Sequence, residues 1–273
     1  MAEDTDFPNI LRIGELIMLL TADVGNTNIK LGIYNGDELR FRLRFSTDTS
    51  KTSDELAVEL YTFFQIYHID TARISASIIS SVVPKITQPL TEAIRVVTGA
   101  KSLVVGPGLK TGMELRIDRP ETLGGDIVCG CVGALEKYGG PVIMIFMGTA
   151  TVIAFADENR VYRGGAIAPG VGISLDALTA RGALLPAVDL KAPKSVIRTN
   201  TVDCIRSGVM FGTACMLDGM IDRFMAEAGA DAKIIATGGL APQMIANCTH
   251  DITFDGNIIL DGLNAIYKRN RKL

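Results

Sequence analysis

Leu19-Leu20-Thr21-Ala22-Asp23-Val24-Gly25-Asn26-Thr27-Asn28-Ile29-Lys30 is the stretch on which the fold turns. An apolar run ends in an acid, a glycine and three short polar residues, and a second apolar run, Ile29 to Ile33, follows. The pattern predicts a strand, a tight turn and a returning strand, with Asp23 where the first strand stops. Gly25 lets the backbone bend and approach a ligand closely. Asn26, Thr27 and Asn28 add hydroxyl and amide donors to the backbone N–H groups, as a phosphate-holding turn requires. Asp23 suits Mg²⁺ held through water, because hard cations take oxygen ligands. Lys30 stands where it can reach a phosphate. An ordinary hairpin with a polar turn fits the same residues.

The chain has 273 residues, 48% hydrophobic and 21% charged, enough for one large or two medium domains with a sizeable core. A net charge of −3 provides no basic field for nucleic acid. Five cysteines, Cys129, Cys131, Cys204, Cys215 and Cys248, contain no CxxC pair, and His68 and His250 stand apart. That set argues against zinc and disulfide frameworks, predicts buried small hydrophobes, and points to a reducing cytoplasm. The longest apolar run, 141–156, is interrupted and too short for a membrane span. Residues 1–17 carry four acids and little periodicity. They are expected to be a disordered extension without signal-peptide features, with Met18 the first residue the fold needs.

From Met18 the order is β, then α/β. Asn35-Gly36 predicts a hairpin. Phe41, Leu43 and Phe45 alternate with Arg42 and Arg44 in a half-buried strand. Thr52 and Glu55 form a capping box for a helix to about His68. Strands over 73–81 and 102–105 flank another helix. The second half repeats the opening: strand 141–147, the turn Gly148-Thr149-Ala150-Thr151, and a returning strand 152–156. Two such units predict two like-folded halves whose turns grip one nucleotide across a cleft. Between them, Gly124-Gly125-Asp126-Ile127 begins a helix. Its N-terminus favours an ionised Asp126, ready to accept a proton, although a plain capping role fits too. A helix over 174–181 follows, and Thr201 is expected to cap a long helix, 202–228. Lys233 to Thr237 predicts a strand ending in Gly238-Gly239, against which a flat base can lie. Leu260 to Tyr267 is a closing helix, and 269–272 a solvated tail.

Taken in order, Asp23-Val24-Gly25-Asn26-Thr27, Ser81-Val82-Val83-Pro84, Gly106-Pro107-Gly108, Gly124-Gly125-Asp126, Gly148-Thr149-Ala150-Thr151, Asn200-Thr201-Val202 and Thr237-Gly238-Gly239 resemble the type III pantothenate kinases. The resemblance runs from Met18 almost to the C-terminus. It implies an α/β fold of two ribonuclease-H-like (actin-like ATPase) domains, each a mixed five-stranded sheet flanked by helices, over 18–122 and 123–273. It implies ATP-dependent phosphorylation of pantothenate to 4'-phosphopantothenate, the first step of coenzyme A biosynthesis. It also implies Mg²⁺, a potassium or ammonium ion, and a cytoplasmic homodimer without nucleic-acid or membrane partners.

Matched position by position, Asp23, Val24, Gly25, Asn26, Thr27, Asn28, Ile29 and Lys30 are the first phosphate loop, and Thr149 is an ATP contact. Asp126 is the general base. Gly124, Gly125, Asp126 and Ile127 touch pantothenate, and Thr201 reaches pantothenate across the dimer. Phe146 occupies the position of the family's cation-ligating Asp, which it cannot replace as a ligand. Its ring must enter the cleft or turn into the core. Ile127 stands for the usual Arg, Gly125 for Ala, and Gly182 for a frequent Thr, a change expected to loosen the pantothenate pocket. Two alternatives follow: a degenerate paralogue that binds nucleotide or pantothenate with little turnover because Phe146 replaces the cation-ligating Asp, and a superfamily kinase for another small alcohol.

Overall fold

The computed structural model describes residues 18–182 and 185–271. The predicted N-terminal extension and Lys272 lie outside the described residues. The opening stretch folds as read: β1 (Met18–Val24) and β2 (Asn28–Asn35) pair antiparallel, and β3 (Glu38–Ser46) returns through a turn in which Gly36 has φ +63°. The capping box is present at α1 (Ser53–Ile66), where the Thr52 N–H donates to Glu55 Oε2 at 2.8 Å. Next come β4 (Ile74–Ser81), α2 (Pro84–Thr98) and β5 (Lys101–Val104). Pro at the first position of α2 lacks only an N–H that would have no helical partner.

The second half contributes β6 (Glu114–Leu115), α3 (Gly125–Tyr138), β7 (Val142–Met147), β8 (Ala150–Ala156) and β9 (Val161–Pro169). It continues with α4 (Val171–Arg181), α5 (Thr201–Ala228), β10 (Lys233–Thr237), α6 (Ala241–Ile245), β11 (Thr253–Phe254) and α7 (Ile258–Asn270). The first sheet runs β3-β2-β1-β4-β5 and the second β9-β8-β7-β10-β11, with β6 added beside β9. The repeat is therefore topological: β7 and β8 occupy the places of β1 and β2. The expected five strands become six in the second sheet, because the two-residue β6 pairs with β9.

Alternation sorts β7 between two cores. Val142, Met144 and Phe146 face α3 and α7, whereas Ile143, Ile145 and Met147 face α5 and α6. α5 is long and apolar enough to cross a bilayer by length and composition, yet Met210, Ala214, Leu217 and Ile221 are buried in the second of these cores. Its cap is Asn200, whose Oδ1 accepts from the Asp203 N–H at 2.9 Å, so Thr201 is the first helical residue rather than the cap. The predicted tail at 269–270 is helix: Asn270 is buried and bonded to the Lys110 N–H, and Arg269 pairs with Glu136. Cys129 and Cys131 are buried as expected, but Cys204 and Cys215 are exposed on α5.

α3 and α7 cross in close contact between the sheets. A Cβ at Gly133 would overlap the Ile258 carbonyl, and one at Gly262 would overlap the Cys129 carbonyl. Bare backbone at both positions is what lets the helices meet. α7 also latches the β2–β3 hairpin. Tyr34 donates to Asp261 at 2.6 Å, Asn264 donates to the Gly36 carbonyl at 2.9 Å, and Lys268 pairs with Asp37. Gly262→Ala is expected to destabilise the fold by about 1–3 kcal/mol, the usual cost of overpacking, despite alanine's better helix propensity. Scanning calorimetry should show a melting point lower by several degrees.

Candidate active site

Asp23 ends β1 and is only 6% exposed. Register sets it beside Lys30 on β2 and Ser80 on β4. Lys30 Nζ stands 4.0 Å from its carboxylate. Burial raises the Asp23 pKa to about 6; Lys30 opposes that rise, and the nearby Asp126 carboxylate adds to it. The turn is held from within: the Gly25 N–H donates to the Asn28 carbonyl at 3.0 Å, and Thr47 Oγ1 donates to the Gly25 carbonyl at 2.7 Å.

Asp126 sits in the first turn of α3, whose N-cap is Gly124 without a side-chain bond. Asp126 is not the N-cap residue, but its carboxylate does bond an N–H of the first turn. Its Oδ1 accepts the Ile127 N–H at 2.9 Å. The helix N-terminus was expected to favour ionisation, but burial outweighs the backbone bonds and the pKa moves upward, which makes the carboxylate a stronger base. A Cβ at Gly125 would press on Ser80 Oγ, and one at Gly124 would lie 3.7 Å from Val82, so the start of α3 abuts the end of β4. The Cys129 thiol lies against Ser80 and is pushed up mainly by burial and then by Asp23. Ser80 Oγ has no other partner. Asp23, Ser80 and Asp126 thus meet where two strand ends face a helix N-terminus.

The second turn is clasped by its neighbours. The Gly148 N–H donates to the Ala150 carbonyl at 3.0 Å, and the Gly170 N–H donates to the Thr149 carbonyl at 3.1 Å. Gly238, at φ +115°, leaves no room for a Cβ beside Met147. Gly238 and Gly239 then line a cleft of about 370 Å³ whose other wall carries Lys30, Arg42 and Arg44. Lys30, 4.0 Å from the Asp23 carboxylate, lies on the cleft wall, and the cleft volume falls within the usual range for small-molecule sites. A larger hollow of about 740 Å³ between β9 and the end of α5, with Asp157, Arg163 and Glu227 on its walls, contains none of the expected residues.

Phe146 turns into the core and is 8% exposed. A methyl group at Gly130 would overlap its ring, so the bare helix position accommodates the phenyl group. Thr237, its register partner on β10, keeps a buried hydroxyl without a hydrogen-bond partner. A Cβ at Gly182 would meet Leu185 and the Leu178 carbonyl. Thr201 is exposed at the start of α5. Sequence reasoning missed Ser80, Arg42, Arg44 and Asn257. The signal for the arginines was the period-two pattern of β3, in which they occupy the face opposite the core.

A family model for type III pantothenate kinase matches residues 19–223. The chain belongs to the type III pantothenate kinase family. Among its relatives in that family, the enzyme of Moorella thermoacetica is 44% identical over 257 residues, covering 93% of this chain and all of the relative. That of Exiguobacterium is 40% identical, with the same coverage. Among solved structures, component A of (R)-2-hydroxyglutaryl-CoA dehydratase from Acidaminococcus fermentans shares the fold, with a TM-score of 0.54, 14% identity, and coverage of 94% and 98% of the two chains. Kinases of this family use ATP and a divalent metal. No group of three His, Cys, Asp or Glu forms a metal cage among the described residues. A buried carboxylate with only a lysine at 4.0 Å suits Mg²⁺ that takes its remaining ligands from water and phosphate.

Asp23→Asn should stabilise the ligand-free protein above pH 6 by up to about 3 kcal/mol. The wild-type carboxyl is harder to ionise folded than unfolded, so its penalty is absent below pH 4, grows as pH rises through the interval to about 6, and stays constant beyond. Urea unfolding of both proteins at pH 4 and pH 8 measures the difference.

Proposed function

We propose that the chain transfers the γ-phosphoryl group of ATP to the primary hydroxyl of pantothenate, giving 4'-phosphopantothenate at the start of coenzyme A biosynthesis. The observation that carries this reading is the meeting of Asp126 with Asp23, whose neighbour Lys30 lines a cleft of nucleotide size, in a chain of this family. Asp126 accepts the hydroxyl proton as the oxygen attacks, and its raised basicity suits that task. Backbone N–H groups of the 25–28 turn, Lys30 and Thr149 hold phosphate oxygens, because this chemistry is chiefly positioning and charge stabilisation. Mg²⁺ at Asp23, held through water, supplies charge neutralisation. Gly124, Gly125 and Ile127 form the pantothenate wall, with Thr201 arriving from a second copy in a homodimer. Exposed Ile167, Ile173 and Ile197 on β9, α4 and the segment before α5 are apolar surface such a dimer can cover. The two lobes divide near 122/123, and the enzyme acts in the cytoplasm without nucleic acid or membrane.

Phe146 favours a second statement about the same reaction: turnover here needs no monovalent cation. The ring fills the space beside Gly130 in the buried core, while Asp126 and the first loop keep their residues. This weakens the paralogue reading, which rests on Phe146 alone. Turnover with a different alcohol and none with pantothenate would favour the other-substrate reading.

Asp126→Asn should lower kcat by about 10²-fold or more while leaving nucleotide affinity within twofold; a fast Asp126→Asn enzyme removes Asp126 as the base. Wild-type turnover should be equal in potassium and sodium. Phe146→Asp should be less stable by about 3 kcal/mol, losing the buried ring, and should turn over faster in potassium than in sodium. A coupled assay with ion substitution reads both; a wild-type enzyme that requires potassium sinks the idea.

A further inference from the structure

The cleft wall opposite the glycine pair is more basic than the phosphate turns alone explain. Its lining includes Lys30, Arg42 and Arg44 and no carboxylate. Register aligns Asp23 with Lys30 and Lys30 with Arg44, so one negative and two positive side chains cross three adjacent strands in a row. That row spans roughly 10 Å, two strand spacings. Among the described residues Arg44 has no ion-pair partner. Arg42 donates from Nη1 to the neutral Asn257 Oδ1 at 2.9 Å. Two exposed guanidinium groups kept apart from acids, in a protein whose other arginines mostly find carboxylates, leave positive charge free for a ligand.

The same end of the cleft holds an aromatic ring. Phe254 is 45% exposed on the edge strand β11. A Cβ built at Gly256 would lie 3.4 Å from the Phe254 ring and 3.8 Å from Arg42 Nη1, so ring and guanidinium converge on one bare backbone position. The segment is rigidly held: Asp255, buried, accepts from Lys137 at 2.7 Å, from Tyr138 at 2.9 Å and from the Asn257 N–H at 3.0 Å.

We infer that Arg44, Arg42 and Phe254 form the outer half of the nucleotide site, the two guanidinium groups holding the inner phosphates of a nucleoside triphosphate and the Phe254 ring taking its base. This rests on the kinase reading for the identity of the ligand, and it extends the grip beyond the two glycine turns. Arginine's planar fork suits bridging phosphate oxygens, and an aromatic ring in the same cleft as Gly238-Gly239 suits a purine.

The test combines kinetics with direct binding of Mg²⁺-AMP-PNP by calorimetry. Arg44→Ala should raise the KM for ATP and the Kd for Mg²⁺-AMP-PNP by about tenfold or more, with the KM for pantothenate unchanged. Arg44→Lys should recover part of the loss. Arg42→Ala should act in the same direction. Phe254→Leu should weaken Mg²⁺-AMP-PNP but leave inorganic tripolyphosphate binding unchanged, since the latter carries no base. A folded Arg44→Ala protein with wild-type nucleotide affinity overturns the assignment, as does a Phe254→Leu protein that loses both probes equally. If the wild type binds Mg²⁺-AMP-PNP but does not phosphorylate pantothenate, the functional reading fails while the binding comparison still decides the site.

Discussion

Two helices brought into backbone contact hold this molecule together. α3 and α7 approach through Gly133 and Gly262, where any side chain would strike a carbonyl. The contact merges residues of both sheets into one core: Leu19, Tyr34 and Ile78 from the first, Met144 and Phe146 from the second. It also fixes the height of Asp126, because the first turn of α3 then lies against Ser80 at the end of β4, next to Asp23. A carboxylate pair of this sort needs rigid supports. Each acid resists ionisation through burial, and a looser helix pair would let water in and relax the shift. Site chemistry and helix packing are therefore one arrangement.

Much of this was legible in the sequence. The two strand–turn–strand units, the capping box at Thr52 and the polar turn after Asp23 are short-range patterns, set by neighbours in the chain. The equal strand order of the two sheets follows once those units are recognised as a repeat. What escaped notice depends on distant residues. β6 joins the second sheet although it precedes α3, because two residues carry almost no periodicity. The end of α7 looked polar enough to be a tail; Lys110 and Glu136 turn its last residues into contacts.

The site shows the same division. Asp23, Gly25 and Asp126 announce themselves by type and spacing. Arg42 and Arg44 looked like the wet side of a half-buried strand, and only the placement of Gly238 and Gly239 across from them reveals a wall. Phe146 was ambiguous for a related reason. Whether its ring entered the cleft or the core turned on a glycine sixteen positions away, on another element. Burial also opposes the helix N-terminus at Asp126: the backbone N–H groups favour the charged form, and desolvation nonetheless moves the pKa upward.

The place of α7 in the chain has a consequence for how the protein is made. One face of the first sheet, with Leu19, Tyr34 and Ile78, shares its core with residues 258–266. While the ribosome is still adding the second half, that apolar face has nothing to rest on. The β2–β3 hairpin lacks its latch for the same interval. Nearly the whole polypeptide must emerge before this shared core closes, so the nascent form presents apolar surface for roughly ten seconds or more at ordinary synthesis rates.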